Sequence, residues 1–227
     1  MKTDYVKTAN VAAFAGALAR LKDRASGVPG LALVRGDPGL GKTRAAIWWV
    51  ATNEDAVYLR ANALMTPRWM LEELAAELGE EPARRSSELF RQCQANLKER
   101  SRMVLVDEVD FLLRDPRLIE TLRGLHDSTG APIVMIGMNG VEKKLARYKH
   151  INDRVSEVVH FRELSLNDVR LIADKLCEVK LAPDAVEQLH MQSRRFRQVV
   201  TTLYRAEHVA RANSLKEVTA AHLGGVK

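Results

Sequence analysis

The chain has 227 residues, 46% of them apolar and 28% charged, with 13 Gly and 7 Pro; that profile excludes disordered, collagen-like and low-complexity classes and leaves material for one large domain or two small ones. Thirty-five Lys and Arg against 29 Asp and Glu give a net charge of +6, a surplus that permits polyanion binding without requiring it. No apolar run approaches the roughly 18 residues of a bilayer crossing, the start Met1-Lys2-Thr3-Asp4 carries no hydrophobic leader, and Cys93 and Cys177 have no CxxC partner, so a cytoplasmic protein with inert thiols and no membrane partner is expected.

In chain order, the pattern predicts a first helix over Asn10–Arg24, stopped by Ser26-Gly27-Val28-Pro29-Gly30. Short apolar runs then alternate with amphipathic stretches, as in a parallel sheet covered by helices. The expected strands are Leu31–Val34, Ala56–Leu59, Met103–Val106, Ile133–Ile136 and Val158–Phe161. Thr66-Pro67, Ser86-Ser87 and Asp115-Pro116 each offer a capping side chain at a helix entry. Behind them Met70/Leu74/Leu78, Leu89/Cys93/Leu97 and Leu118/Leu122/Leu125 recur at helical spacing. After about Phe161 the strands are expected to stop. Ser165-Leu166-Asn167-Asp168 has the form of a capping box, with Leu166, Val169, Ile172, Ala173 and Leu176 as one apolar stripe. Helices over Pro183–Met191, Arg194–Ala212 and Ser214–Ala220 follow, so the reading is an α/β body over residues 1–162 and a small all-helical unit over 163–227.

The most specific motif is Gly36-Asp37-Pro38-Gly39-Leu40-Gly41-Lys42-Thr43, a GxxxxGKT match between an apolar run and a helical stretch. Its glycines let the backbone curl so that successive N–H groups face phosphate oxygens, and the following helix N-terminus adds positive potential. Lys42 is suited to the β- and γ-phosphates of ATP, and the Thr43 hydroxyl to Mg²⁺. Met103-Val104-Leu105-Val106-Asp107-Glu108 reads as a buried strand ending in an acidic pair. Asp107 is suited to Mg²⁺, and Glu108 to orienting and deprotonating an attacking water. A water-activating carboxylate favours ATP hydrolysis over phosphoryl transfer to a metabolite.

A further strand runs into a polar residue, Ile133-Val134-Met135-Ile136-Gly137-Met138-Asn139, and an arginine and a helical tail come after it. With the two motifs above, this resembles the AAA+ ATPases from about Gly30 to Leu223. The resemblance implies a P-loop AAA+ parallel sheet sandwiched by helices and followed by a helical lid. It implies that Asn139 is the sensor that positions water, and that Arg154, with Arg147 second, is the finger reaching a neighbouring copy's ATP. It also implies that Arg197, in Ser193-Arg194-Arg195-Phe196-Arg197, is the second sensor on the lid; the glycine usual a few residues ahead is missing. The loop and the stretches Asp107-Glu108-Val109-Asp110, Leu118–His126 and Ile136–Glu142 are similar to the Mu B-like and TnsC-like transposition target selectors. That group binds double-stranded DNA with ATP, assembles on it as a helical filament and delivers it to a transposase. Two other roles stay open: a replication initiator or helicase loader, and a nucleotide-dependent interaction switch with no DNA role.

Mu B-like members carry an N-terminal helix-turn-helix domain, whereas 30 residues precede Leu31 here, so DNA contact is expected from the ATPase body. Filament-type binding needs Lys and Arg at phosphates. The resemblance implies, from the surface that related filaments turn to DNA, Arg60, Arg68, Arg84 and Arg85, with Lys143, Lys144, Arg147 and Lys149 as a second cluster. Trp48 and Trp49 are expected to pack rather than stack on bases, and the six histidines show no metal-ligand spacing.

Overall fold

The computed structural model describes residues 1–25 and 27–223, which divide into two compact units. The larger takes in residues 14–36 and 42–160. Its strands are β1 (Leu31–Arg35), β2 (Ala56–Arg60), β3 (Met103–Asp107), β4 (Ile133–Gly137) and β5 (Val155–His160). They form one parallel sheet in the order β2-β3-β4-β1-β5. Around it run α1 (Ala9–Lys22, here from Phe14), α2 (Lys42–Thr52), α3 (Pro67–Glu77), α4 (Ser86–Glu99) and α5 (Pro116–Thr129). Two short helices, α6 (Val141–Leu145) and α7 (Lys149–Asn152), lead from β4 to β5.

Parallel strands covered on both faces lose the apolar–polar alternation of half-buried ones, and β1, β3 and β4 are apolar almost throughout for that reason. Leu31, Leu33, Val57, Leu59, Val104, Val106, Ile133 and Met135 share one core with Met70 and Leu74 of α3, Leu89 of α4 and Leu118 and Leu122 of α5. The residues between them, Ala32, Val34, Leu105, Val134 and Ile136, are equally buried outside that cluster. So are Phe14 of α1 and Trp49 of α2, whose rings meet edge to face at 6.3 Å. Each large apolar side chain removed from water contributes about 1.5–3 kcal/mol.

Local signals explain most helix entries. Thr66 accepts the Trp69 amide and Asp115 the Arg117 amide, each with proline in the first turn. The entry of α4 differs from expectation: Arg85 is the cap residue and makes no side-chain cap, because both serines already lie inside the helix. β5 begins three residues earlier than its apolar pattern predicts and ends before Phe161. It is an edge strand paired to β1 alone, so Ser156 and the Arg20-paired Glu157 can sit on it without burial. The first helix ends at Lys22; Ser26 of its predicted stop lies outside the described residues.

The smaller unit comprises residues 1–13, 37–41 and those from Phe161 onward. Its helices are α8 (Leu166–Leu176), α9 (Pro183–Gln192), α10 (Phe196–Ala212) and α11 (Ala220–Leu223). They close on a core of Val6, Val169, Ile172, Leu176, Leu189, Val199 and Leu203. The helix predicted over Ser214–Ala220 does not form. Ser214 takes a left-handed φ of +52°, and Glu217–Val218 (β7) pairs in parallel with Lys180–Leu181 (β6), the one strand pairing among the described residues of this unit. The whole is therefore the expected α/β fold, a parallel sheet with flanking helices followed by a mostly helical C-terminal part.

Candidate functional site

All five strands run the same way, so β1, β3 and β4, adjacent in the sheet, deliver their C-terminal ends to one edge, where ligands of open α/β sheets bind. β1 leads into residues 36–43, β3 ends in Asp107-Glu108, and β4 ends two residues before Asn139. The strand ends that carry Gly36, the acidic pair and Asn139 thus emerge side by side in the larger unit.

The loop curls because Gly39 and Gly41 hold φ of +83° and +96°, a region side-chain-bearing residues rarely enter. Lys42, the first residue of α2, turns its ammonium back to donate to the Gly36 carbonyl at 2.6 Å. The Thr43 hydroxyl donates to Oδ2 of Asp107 at 2.6 Å. That bond points the hydroxyl hydrogen at the carboxylate and leaves Thr43's oxygen lone pairs for a cation. A hydroxyl and a carboxylate are hard oxygen donors of the kind Mg²⁺ takes, so the pair fits that ion. Among the described residues no cluster of three or more His, Cys, Asp or Glu could hold a metal. A cation here would therefore draw its remaining ligands from nucleotide phosphate and water.

Asp107 is almost fully buried and receives three hydrogen bonds from described residues. Besides Thr43, Oδ2 accepts the phenol of Tyr58 at 3.0 Å, and Oδ1 accepts the Glu108 amide at 2.8 Å. Burial and then the Asp107 charge push the Tyr58 phenol well above its usual range, so it stays a donor. Glu108 has a left-handed φ of +56°, a strain of about 1–3 kcal/mol for a non-glycine residue. The Val109 amide, bonded to Ile136 O at 2.9 Å, helps hold that turn. The Glu108 carboxylate is partly exposed and lies 3.9 Å from Arg60.

Asp110, 6% exposed, ties this turn to the end of β4. Its Oδ2 accepts the Met138 amide at 2.7 Å and its Oδ1 accepts Lys144 Nζ at 2.8 Å. Asn139 follows directly, so its backbone position is set by a carboxylate three residues beyond Asp107. Tyr58 does not stand out in the sequence as part of the site, and Asp110 enters only as the end of a stretch that carries the resemblance, with no role of its own. The only available signal was a polar-tipped residue in an otherwise apolar strand and a third acid after the pair.

Residues 37–41 of the loop count with the smaller unit. There Arg195 approaches Asp37 at 3.4 Å, and the Arg197 amide donates to the Gly39 carbonyl at 3.0 Å. Arg197 thus stands at the phosphate loop by its backbone, while its side chain is exposed.

Arg154 is placed elsewhere. It precedes β5, at the sheet edge opposite the loop, and grips both oxygens of Asp127 at 2.7 and 3.0 Å while also donating to the His150 carbonyl. Burial opposes the Asp127 charge, but Arg154 and Arg123 outweigh it and hold that carboxyl low. Arg147 is exposed and makes no side-chain ion pair among the described residues.

The basic residues fall into two groups in the larger unit. Arg68 donates to the Arg84 carbonyl at 2.5 Å and pairs with Glu72, and the highly exposed Arg85 stands 3.7 Å from Glu88. Arg60 belongs instead with Glu108, and Lys144 with Asp110. Lys143 and Lys149 are exposed beside Arg147. Trp49 is buried with Trp48 edge-on at 6.3 Å. His126 is buried with both ring nitrogens bonded to backbone, and burial pushes the Cys93 and Cys177 thiols up to about 11. No helix is long and apolar enough to cross a membrane, among the described residues.

The chain is similar to the ATP-dependent target DNA activator B of Escherichia phage Mu, 30% identical over 152 residues, which is 63% of this chain and 48% of that protein. It spans about half the length of the phage relatives it matches. Among solved structures, the Aeropyrum pernix ORC1 protein in complex with DNA superposes with a TM-score of 0.69 at 18% identity, covering 98% of this chain and 65% of that one. Domain III of the Thermotoga maritima replication initiation protein DnaA superposes at 0.61 and 18% identity, covering 94% and 89%. Likenesses this distant speak to the fold alone. The model of the AAA domain matches residues 26–145, more than half of the sequence and the span that carries the loop, the acidic pair and Asn139; the chain belongs to the AAA domain family.

Proposed function

We propose that this chain is a Mg²⁺-dependent ATPase that assembles on double-stranded DNA without sequence preference and delivers it as target to a transposase. The observation that carries the reading is the similarity to the phage Mu target DNA activator over 63% of the chain, together with the complete phosphate loop of the sequence. The Thr43–Asp107 contact at the sheet edge supports the ATP half of it.

In this reading the amides of residues 37–43 and the Lys42 ammonium hold the triphosphate, Lys42 exchanging its Gly36 carbonyl for phosphate oxygens. Thr43 and Asp107 would hold Mg²⁺, which supplies neutralisation of the charge developing on the phosphates. Glu108 orients the attacking water and accepts its proton, and Asn139 fixes that water from the neighbouring strand end. Arg197, whose amide donates to the Gly39 carbonyl, takes the role of the second sensor. Arg154 acts in trans on a neighbouring copy's nucleotide, after exchanging Asp127 for phosphate; Arg147, with no such bond to break, is the second choice. A trans arginine is worth about 10³-fold or more in rate, so hydrolysis follows assembly. DNA is bound through phosphates by the basic groups around Arg84 and Arg147.

Replacing Lys42 by Ala tests the whole scheme. Hydrolysis is expected to fall by about 10²-fold or more, and ATP-dependent coating of duplex DNA, seen by electron microscopy, to disappear. Coating undiminished in this variant rules the reading out.

A further inference from the structure

We propose that Tyr58 is a positioning residue for the divalent cation: its phenol caps Oδ2 of Asp107 and leaves that carboxylate a single direction in which to receive a metal ion or a metal-bound water. The inference rests on the reading of Thr43 and Asp107 as the Mg²⁺-facing pair.

An ionised carboxylate offers about four lone-pair sites, two on each oxygen. At Asp107, Oδ2 accepts both the Thr43 hydroxyl at 2.6 Å and the Tyr58 phenol at 3.0 Å. Oδ1 accepts the Glu108 amide at 2.8 Å. Among the described residues one acceptor direction remains, on Oδ1. The side chain is only 3% exposed, so bulk water does not compete for the occupied directions. Without the phenol, Oδ2 gains an open direction, the carboxylate's second, and the carboxylate loses one of the three bonds that fix its rotation.

The strand register explains the reach. β2 pairs with β3 so that Arg60 lies level with Asp107, and Tyr58, two residues earlier on the same face, meets the carboxylate on the diagonal. Its neighbours Val57 and Leu59 are buried on the other face, which keeps β2 against the sheet. Phenylalanine would fill the same space, so packing gives no reason for the hydroxyl; Asp107 is its only side-chain partner among the described residues. Groups that orient a metal's ligands without touching the metal are typically worth about 10–100-fold in metal affinity.

The test is a Tyr58→Phe variant of the full chain, titrated with Mg²⁺ while binding of a fluorescent ATP analogue is followed. The Mg²⁺ midpoint is expected to rise about tenfold, with analogue binding in excess chelator unchanged and excess Mg²⁺ restoring the parental signal. A merely structural role would change metal-free binding as well and would not be rescued by the ion. An unmoved midpoint overturns the proposal. Asp107→Asn, titrated in parallel, separates the two levels. If it shifts the midpoint and Tyr58→Phe does not, only the role of Tyr58 falls. If neither shifts it, the Mg²⁺ reading of Asp107 falls with it.

Discussion

At the scale of single residues, the site is held by close approach as much as by charge. Gly137, the last residue of β4, has no room for a side chain: a Cβ there would lie 2.8 Å from Oδ2 of Asp110, 3.0 Å from Val141 and 3.1 Å from Val109. The carboxylate cannot retreat freely, because that same oxygen accepts the Met138 amide and its partner oxygen accepts Lys144. Gly137→Ala therefore forces either the buried Asp110 or the turn carrying Glu108 to move. Overpacking of this kind costs about 1–3 kcal/mol, so the denaturant midpoint should fall with an unchanged slope. Because the displaced group sets the backbone ahead of Asn139, hydrolysis should fall further than nucleotide binding does. A midpoint and a turnover rate both equal to the parent's would show that Asp110 is not held as tightly as these distances imply.

At the scale of elements, capping shows both what a sequence reveals and what it hides. Ser165 and Asp168 form the capping box read from their spacing: the Asp168 amide donates to Ser165 Oγ at 3.1 Å and the Ser165 amide to Asp168 Oδ2 at 3.1 Å. The other oxygen of Asp168 accepts the amide of Ala9, the first residue of α1, at 2.8 Å. One buried carboxylate thus serves two helix N-termini. Ser165→Ala should cost about 1 kcal/mol, the usual effect of removing a cap. Asp168→Ala should cost more, since it leaves two amides short of a partner and each unpaired amide costs about 1–3 kcal/mol. Thermal unfolding of the two variants gives the order, and equal destabilisation would mean the bond to Ala9 contributes nothing. The box is legible because its partners are three residues apart; the Ala9 bond is not, because 159 residues separate it from Asp168. The same division holds elsewhere. Thr66 and Asp115 are readable from adjacent residues, and the loop and acidic pair because each is contiguous. The roles of Tyr58 and Asp110 escape notice because their partners lie 49 and 28 residues away. The start of β5 is hidden because an edge strand tolerates polar residues that a buried one excludes.

At the scale of the molecule, the surplus of six positive charges matters only where cations are left to act outward. Composition cannot say which those are; the ion pairs can. Arg60 and Lys144, equal candidates by sequence, face Glu108 and Asp110, so reversing either would disturb the nucleotide edge along with any DNA contact. Arg84 and Arg85, on the connection into α4, are exposed and distant from those carboxylates in the chain. Among the described residues Arg85 has only the 3.7 Å pairing with Glu88, and the bond from Arg68 goes to the Arg84 backbone, which substitution leaves in place. Arg84→Glu with Arg85→Glu is therefore the clean test of the DNA surface. Stability and binding of the ATP analogue should stay at parental values. Every DNA phosphate that a missing arginine leaves unneutralised lowers the slope of log affinity against log salt by about 0.9, so the double variant should bind duplex DNA more weakly with a slope shallower by roughly 1.8. Retardation assays between low and moderate salt, run with a non-hydrolysable ATP analogue, measure both quantities together. Weaker binding with an unchanged slope would mean the arginines act by holding local structure. An unchanged affinity would move the DNA surface to the cluster around Lys143 and Arg147.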